Sequence, residues 1–264
     1  MENTAEAITI QEIIEREWIG TAFHSLVSIK RRALLGVEAL ARWQSPTRGL
    51  VAPHAFISHA EDSGLIVPLG EQVLRRACLE IVALRKRFAL ARRISLAVNI
   101  SARQFAQPDL VDMVRQVLRE TGLPAASLKL ELTESALMDD PETALSAMRR
   151  LKALGVSLAI DDFGTGYSSL SYLQRFPVDV LKIDRSFVRD LPREDADSRA
   201  LVRAIAALAD SLRMSIVAEG VETRDQLDLL IALGCEAVQG YYFHPPLPEA
   251  ELAELLARHE ALEQ

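Results

Sequence analysis

The chain has 264 residues, with 30 Lys and Arg against 37 Asp and Glu and a formal net charge of −7. That length suffices for one large core, and the acidity excludes a broad nucleic-acid face, which needs Lys and Arg to displace counterions. An anionic ligand would therefore need positive charge supplied locally.

No apolar run approaches the ~18–20 residues of a membrane-spanning helix. The acidic residues 1–7 lack the basic and apolar regions of a secretion signal. The expectation is a cytoplasmic protein whose two cysteines, Cys78 and Cys235, stay reduced and pack as small hydrophobes. With no Ser, Gly or Pro-rich linker, one domain over 19–264 is expected, preceded by a helix or linker over 1–18.

In chain order, β-rich runs at 22–29 and 33–40 come first, separated only by Lys30-Arg31-Arg32. That is room for a hairpin but not for a crossover helix, so strand one is expected to run antiparallel to strand two. Apolar residues at i, i+3, i+4 spacing then predict a helix over 72–90, followed by a strand at 94–99 (ISLAVN), a helix at 109–121 and a strand at 128–131. Asp140-Pro141 opens the next helix, 142–154, with a cap and a first-turn proline; Gly122 and Gly155 stand where helices end. Strands at 156–161 and 178–183 follow. The acidic stretch 190–198 reads as a solvated loop. A helix at 196–212, a strand at 214–219, a helix at 224–233 and a strand at 236–239 complete the series. Eight strands alternating with helices over about 250 residues predict a (β/α)8 barrel, with an open doubly wound sheet as the competing architecture.

In such a barrel the C-terminal strand ends form the working face. Here they carry Glu38, Asn99, Glu131, Asp161 with Asp162, Lys182, Glu219 and Gln239. One carboxylate ending a strand is ordinarily a solvated loop residue. Five around one mouth (Glu38, Glu131, Asp161, Asp162 and Glu219) would repel one another and demand cations. Oxygen donors plus one amide suit hard ions such as Mg2+ or Mn2+, and the five histidines lack the pairing of a zinc site. Consecutive strand residues face opposite ways, so the Asp161-Asp162 pair needs a turn to reach one site; Phe163-Gly164-Thr165-Gly166 offers it. The same glycines do not complete a dinucleotide or P-loop fingerprint.

Seven segments in order carry a family resemblance: Glu38-Ala39-Leu40 with Ala41-Arg42-Trp43, Asn99-Ile100-Ser101, Glu131-Leu132-Thr133-Glu134, Asp161 to Gly166, Leu181-Lys182-Ile183-Asp184, Ala218-Glu219-Gly220-Val221-Glu222 and Gln239-Gly240-Tyr241. Together they resemble the EAL-domain phosphodiesterases of the bacterial second messenger cyclic di-GMP, from about Phe23 to Pro248. The resemblance implies a TIM-like barrel with its first strand antiparallel and hydrolysis to linear pGpG with Mg2+ or Mn2+. It also implies metal ligands Glu38, Asn99, Glu131, Asp161, Asp162 and Glu219, with Asp161 bridging. It assigns the attacking water to Lys182 and support of the loop after Asp162 to Glu134 and Glu222. Arg42 would contact a phosphate, and His24, Leu40, Asp184, Glu222 and Gln239 complete the implied substrate contacts. A homodimer and a sensory or GGDEF domain partner are further implications. A cyclic di-GMP receptor without turnover is the alternative. The chain departs from the family at Phe23-His24-Ser25, where Gln-Pro usually follows the aromatic, which bears on nucleotide affinity.

Overall fold

The computed structural model describes residues 9–45, 49–165, 170–192 and 196–263. Nine strands occur among them: β1 (Ile19–Ser28), β2 (Ala33–Ser45), β3 (Gly49–Val51), β4 (Ser95–Ile100), β5 (Leu128–Thr133), β6 (Ser157–Phe163), β7 (Val180–Ile183), β8 (Ser215–Ala218) and β9 (Ala237–Gln239). All but β3 close into a barrel, because β1 pairs with both β2 and β9. β1 is antiparallel to both neighbours and every other barrel pairing is parallel. The short hairpin expected from Lys30-Arg31-Arg32 is thus the feature that inverts strand one.

Three apolar regions follow from strand alternation. Outward-facing residues such as Leu96, Leu130, Leu158 and Leu181 pack under the helices in the main core. Inward-facing Leu26, Ala159, Val180, Val217 and Ala237 form a smaller cluster inside the barrel. A third cluster joins Ile10 and Ile13 of helix Ile10–Glu15 to Trp43, Phe56 and Leu69. Each such aliphatic side chain contributes roughly 1.5–3 kcal/mol by leaving water. The helix within 1–18 is therefore packed against the lobe that β2 builds, while residues 1–8 lie outside the described residues.

The structure departs from the sequence reading in four places. β2 continues past Leu40 to Ser45 because β3 and the start of β1 give its far end partners. The helix expected from Gln72 begins at Ile66: Pro68 falls in its first turn, where a missing N–H is harmless, and Gly70 is admitted because a Cβ there would meet the Gln104 side chain at 2.0 Å. Stretch 190–198 is largely helix end and helix start, with Arg185–Asp190 before it and Ala196–Ser211 after it; residues 193–195 lie outside the described residues. The Asp161-Asp162 geometry is the fourth and belongs with the site below. Caps fall as read: Asp140 Oδ1 accepts from Thr143 N at 3.2 Å, and Gly122 and Gly155 have φ of 74° and 94°.

Cys78 and Cys235 are free and buried, and burial pushes both thiols up to about 12, which makes them inert. Among the described residues no helix is long and apolar enough to cross a membrane.

Candidate active site

Strand alternation places the site. On β7, Val180 faces the apolar interior and Lys182, two residues on, faces the same way at the mouth. The Lys182 side chain is only 2% exposed. Its Nζ lies 2.6 Å from Glu131, 2.5 Å from Glu219, 3.1 Å from Asp161 and 3.8 Å from Glu38. Glu38 is held from both sides: Asn99 donates to Oε1 at 2.6 Å and Gln239 donates to Oε2 at 2.7 Å. Carboxylates from β2, β5 and β6, and Glu219 just beyond β8, therefore converge on Lys182 of β7, with Asn99 of β4 and Gln239 of β9 joined to it through Glu38.

Asp162 joins by a route different from the one the glycines suggested. The β6–β7 register shifts between Ile160 and Phe163, and Asp162 itself takes a φ of 52°, so the backbone turns at the second aspartate, ahead of the glycines. A left-handed φ is uncommon outside glycine, and Asp is among the residues that tolerate it best. The result places ligand oxygens of Asp161, Asp162 and Glu219 within 4.8 Å of one another. Gly164 (φ 97°) follows, and its N–H donates to Glu134 Oε2 at 3.1 Å, so Glu134 ties down the turn. Gly166 lies outside the described residues.

One ammonium against five carboxylates leaves the mouth short of positive charge, and the titration shifts record it. Burial raises Glu131 to about 7, with Lys182 opposing. Burial also raises Glu219 well above the carboxylate range, and its acidic neighbours reinforce this. Asp162 rises to about 6 through burial and the adjacent Asp161 and Asp184. Burial would raise Glu38 as well, but Lys182 and the two amide hydrogen bonds outweigh it and hold it low. For Lys182, burial works downward, yet the four carboxylates together keep it well above its ordinary value. Glu219 Oε1 meets the Lys182 ammonium at 2.5 Å, and Glu134 Oε1 is buried without a hydrogen bond. An all-oxygen donor set, too negative for its one lysine, fits hard divalent cations.

The remaining sequence candidates divide. Arg42, half-buried on β2, donates to Ala41 O at 2.8 Å and feels the fields of Tyr241 and Glu38. His24 stands opposite Glu38 in the β1–β2 register; burial lowers its pKa, and its Nε2 is buried without a partner. Asp184 accepts from Ser186 N at 2.9 Å, capping the next helix, and lies close enough to Asp162 to raise it. Leu40 lines a cavity of about 280 Å³ beside Asn99, with Ile57, Leu69 and Thr133. Glu222 stands apart: its side chain is exposed, and only its backbone N–H, donating to Gln226 Oε1 at 2.8 Å, ties it down.

Sequence reasoning gave no role to Tyr241. It is 64% exposed and stands edge-on to His24 with centroids 5.8 Å apart. An exposed aromatic immediately after Gln239-Gly240 was the available signal. Gly240 is required there because a Cβ would meet Val221 O at 2.1 Å.

Known proteins carry the same architecture. Residues 7–246 match the EAL domain family model. The chain is 49% identical over 220 residues to the cyclic di-GMP phosphodiesterase NbdA of Pseudomonas aeruginosa, covering 83% of this chain and 28% of that protein. It is 44% identical over 218 residues to the cyclic di-GMP phosphodiesterase PdeR of Escherichia coli, covering 83% and 32% respectively. The chain thus spans about a third of the length of these curated relatives. A solved structure of the MucR phosphodiesterase in complex with c-di-GMP superposes with a TM-score of 0.88 at 43% identity, covering 92% of this chain and 97% of that one. MucR of Pseudomonas aeruginosa is a bifunctional diguanylate cyclase and cyclic di-GMP phosphodiesterase. By barrel, by mouth and by kinship, the chain belongs to the EAL domain family of cyclic di-GMP phosphodiesterases.

Proposed function

We propose that this chain hydrolyses cyclic di-GMP to linear pGpG with Mg2+ or Mn2+ bound at the barrel mouth. The observation that carries the reading is the convergence of Glu38, Glu131, Asp161 and Glu219 on Lys182, with Asp162 and Asn99 alongside. Glu38, Asn99, Glu131, Asp161, Asp162 and Glu219 would hold the ions. Bound divalent cations would supply Lewis-acid activation of water and offset the charge of a phosphodiester.

The chain's own residues do the rest. Asn99 and Gln239 fix both oxygens of Glu38, so that ligand is set before any ion arrives. Glu134 fixes the turn that aims Asp162. Lys182, whose Nζ lies within 3.1 Å of Glu131, Asp161 and Glu219, stands where it would orient the attacking water or take its proton. Arg42 supplies the local positive charge that an anionic substrate needs at an acidic mouth. Leu40 and the apolar cavity beside Asn99 offer a dry seat for a base, and Tyr241 offers a face for stacking.

The test is to incubate purified protein with cyclic di-GMP and Mg2+ or Mn2+ and to separate the products. Formation of pGpG that stops with chelator supports the reading. Tight binding without turnover would make the chain a receptor instead.

Assembly follows as a smaller part of the same proposal. The reading includes a homodimer, which rests on the family resemblance alone, and a sensory or GGDEF domain partner, for which the bifunctional relative MucR speaks.

A further inference from the structure

A second cavity lies away from the acidic mouth. A groove of about 380 Å³ runs along the outside of the barrel, where the β1–β2 hairpin has no crossover helix to cover it. Helices Arg224–Ala232 and Glu249–Glu263 form its walls, and its floor is apolar, with Val27, Leu34, Leu227 and Leu255 among the lining residues. Its volume falls within the range of small-molecule sites, and an apolar lining with a few polar groups is their usual character.

Three observations point to the chemistry of an occupant. Ile231 and Tyr242, two of the five large apolar side chains exposed among the described residues, both line this groove, at 47% and 38% exposure. Its lining includes Arg32 and Arg224 and no acidic residue, although the chain as a whole carries a net charge of −7. Arg224 is steadied by Asp228, to which its Nε donates at 2.9 and 3.0 Å. Arg32 occupies a φ of 48° in the hairpin, where glycine or asparagine would be the unstrained choice. A cation is thus placed in a strained conformation at the end of an apolar groove.

We propose that this groove is a second ligand site, taking a small amphipathic anion whose aliphatic or aromatic part lies on the floor and whose carboxylate or sulfonate meets the arginines. It shares no lining residue with the metal-binding set. Its neighbourhood does reach the mouth: His244 lines the groove and its Nδ1 lies 3.3 Å from Ser25 Oγ, next to His24.

The probe is anilinonaphthalene sulfonate, followed by its fluorescence, with decanoate and decyltrimethylammonium as competitors. A single saturable site per chain is expected, displaced by decanoate and not by the cation. Binding should weaken by about tenfold, the loss of one charge-assisted contact, in Arg32→Gly. Glycine suits the backbone there, so that variant keeps its fold. Ile231→Glu, on an exposed helix face, should weaken binding at least as much, and Glu38→Ala should bind like the parent chain. Equal displacement by both competitors, unchanged binding in both groove variants, or loss of binding in Glu38→Ala would each overturn the site. So would a parent chain that binds no probe but dimerises until Ile231→Glu separates it, since a second copy then covers the groove. None of these readouts depends on cyclic di-GMP turnover.

Discussion

Along β7, Val180 and Lys182 point into the barrel two residues apart, yet they inhabit opposite environments. The same pairing recurs at Ala159 and Asp161 on β6, and at Ala237 and Gln239 on β9, with Val217 on β8 followed by Glu219 just beyond it. The first members, with Leu26, make an apolar cluster that Lys129 of β5 interrupts; the second members make the acidic mouth. Only two strand steps, about 6.6 Å, separate them. The lower layer takes its stability from burial, and it keeps water out from beneath the upper one. The upper layer concentrates charge in a place of low dielectric, which strengthens its hold on cations and works against the fold in their absence.

The sharpest way to break this contrast is at Lys182. Removing the one ammonium among four carboxylates leaves uncompensated buried charge, which typically costs about 3–5 kcal/mol. Lys182→Met should lower the melting temperature of chelator-treated protein more than any single change in the apolar layer. Turnover should fall by at least about a hundredfold. A variant that melts and turns over like the parent would refute the central position of Lys182.

Glu219 and Val217 sharpen the comparison from both sides. Burial and acidic neighbours push the Glu219 pKa upward, so the neutral, isosteric Glu219→Gln removes a charge that the fold holds at a cost. It should leave thermal stability nearly unchanged while weakening metal binding by more than about tenfold, read by calorimetry. Val217→Ala should do the reverse, losing about 1–3 kcal/mol to a cavity while turnover stays within a few-fold. If both variants lost stability and activity alike, the two layers would not be separable.

Titration separates them as well. Glu131 rises to about 7 and Asp162 to about 6. A carboxylate whose folded pKa is raised favours the fold below its unfolded pKa, and that contribution disappears as pH climbs through the folded value. Chelator-treated protein should therefore lose melting temperature between about pH 5 and pH 7. Cation binding needs these groups ionised, so it should strengthen over the same interval and release protons. A flat melting curve across that window would contradict the raised carboxylates.

Much of this comparison is legible in the residues because strand alternation is local. Apolar runs that end in a charge are enough to place both layers, and Lys30-Arg31-Arg32 alone dictates the inverted first strand. What escapes is set by contacts across the fold. Gly70 looks like a helix breaker until Gln104 is seen filling the space a side chain would need. The turn at Asp162 is a bulge against β7, invisible without the partner strand. β2 outlasts its apolar run because β3 returns to pair with it. Glu222, whose implied role came from the resemblance alone, has an exposed side chain.

The gentlest test lies at His24, on the strand that runs against all the others. Because β1 is inverted, His24 reaches the mouth from the opposite chain direction, facing Glu38 across a hairpin pair. It belongs to neither layer's strand-end pattern. Its Nε2 is buried without a partner, and burial disfavours the charged ring. Its ring is seated edge-on against Tyr241, the exposed aromatic beside Arg42. On the proposed function, a residue so placed would act on how the nucleotide sits and not on the attacking water. Replacing it with the longer amide of His24→Gln should shift KM for cyclic di-GMP by a few-fold, worth about 1 kcal/mol, and leave kcat and metal affinity unchanged. A fall in kcat with KM constant would mean that His24 works on the catalytic layer through Glu38, and that the inverted strand is part of the charged mouth after all.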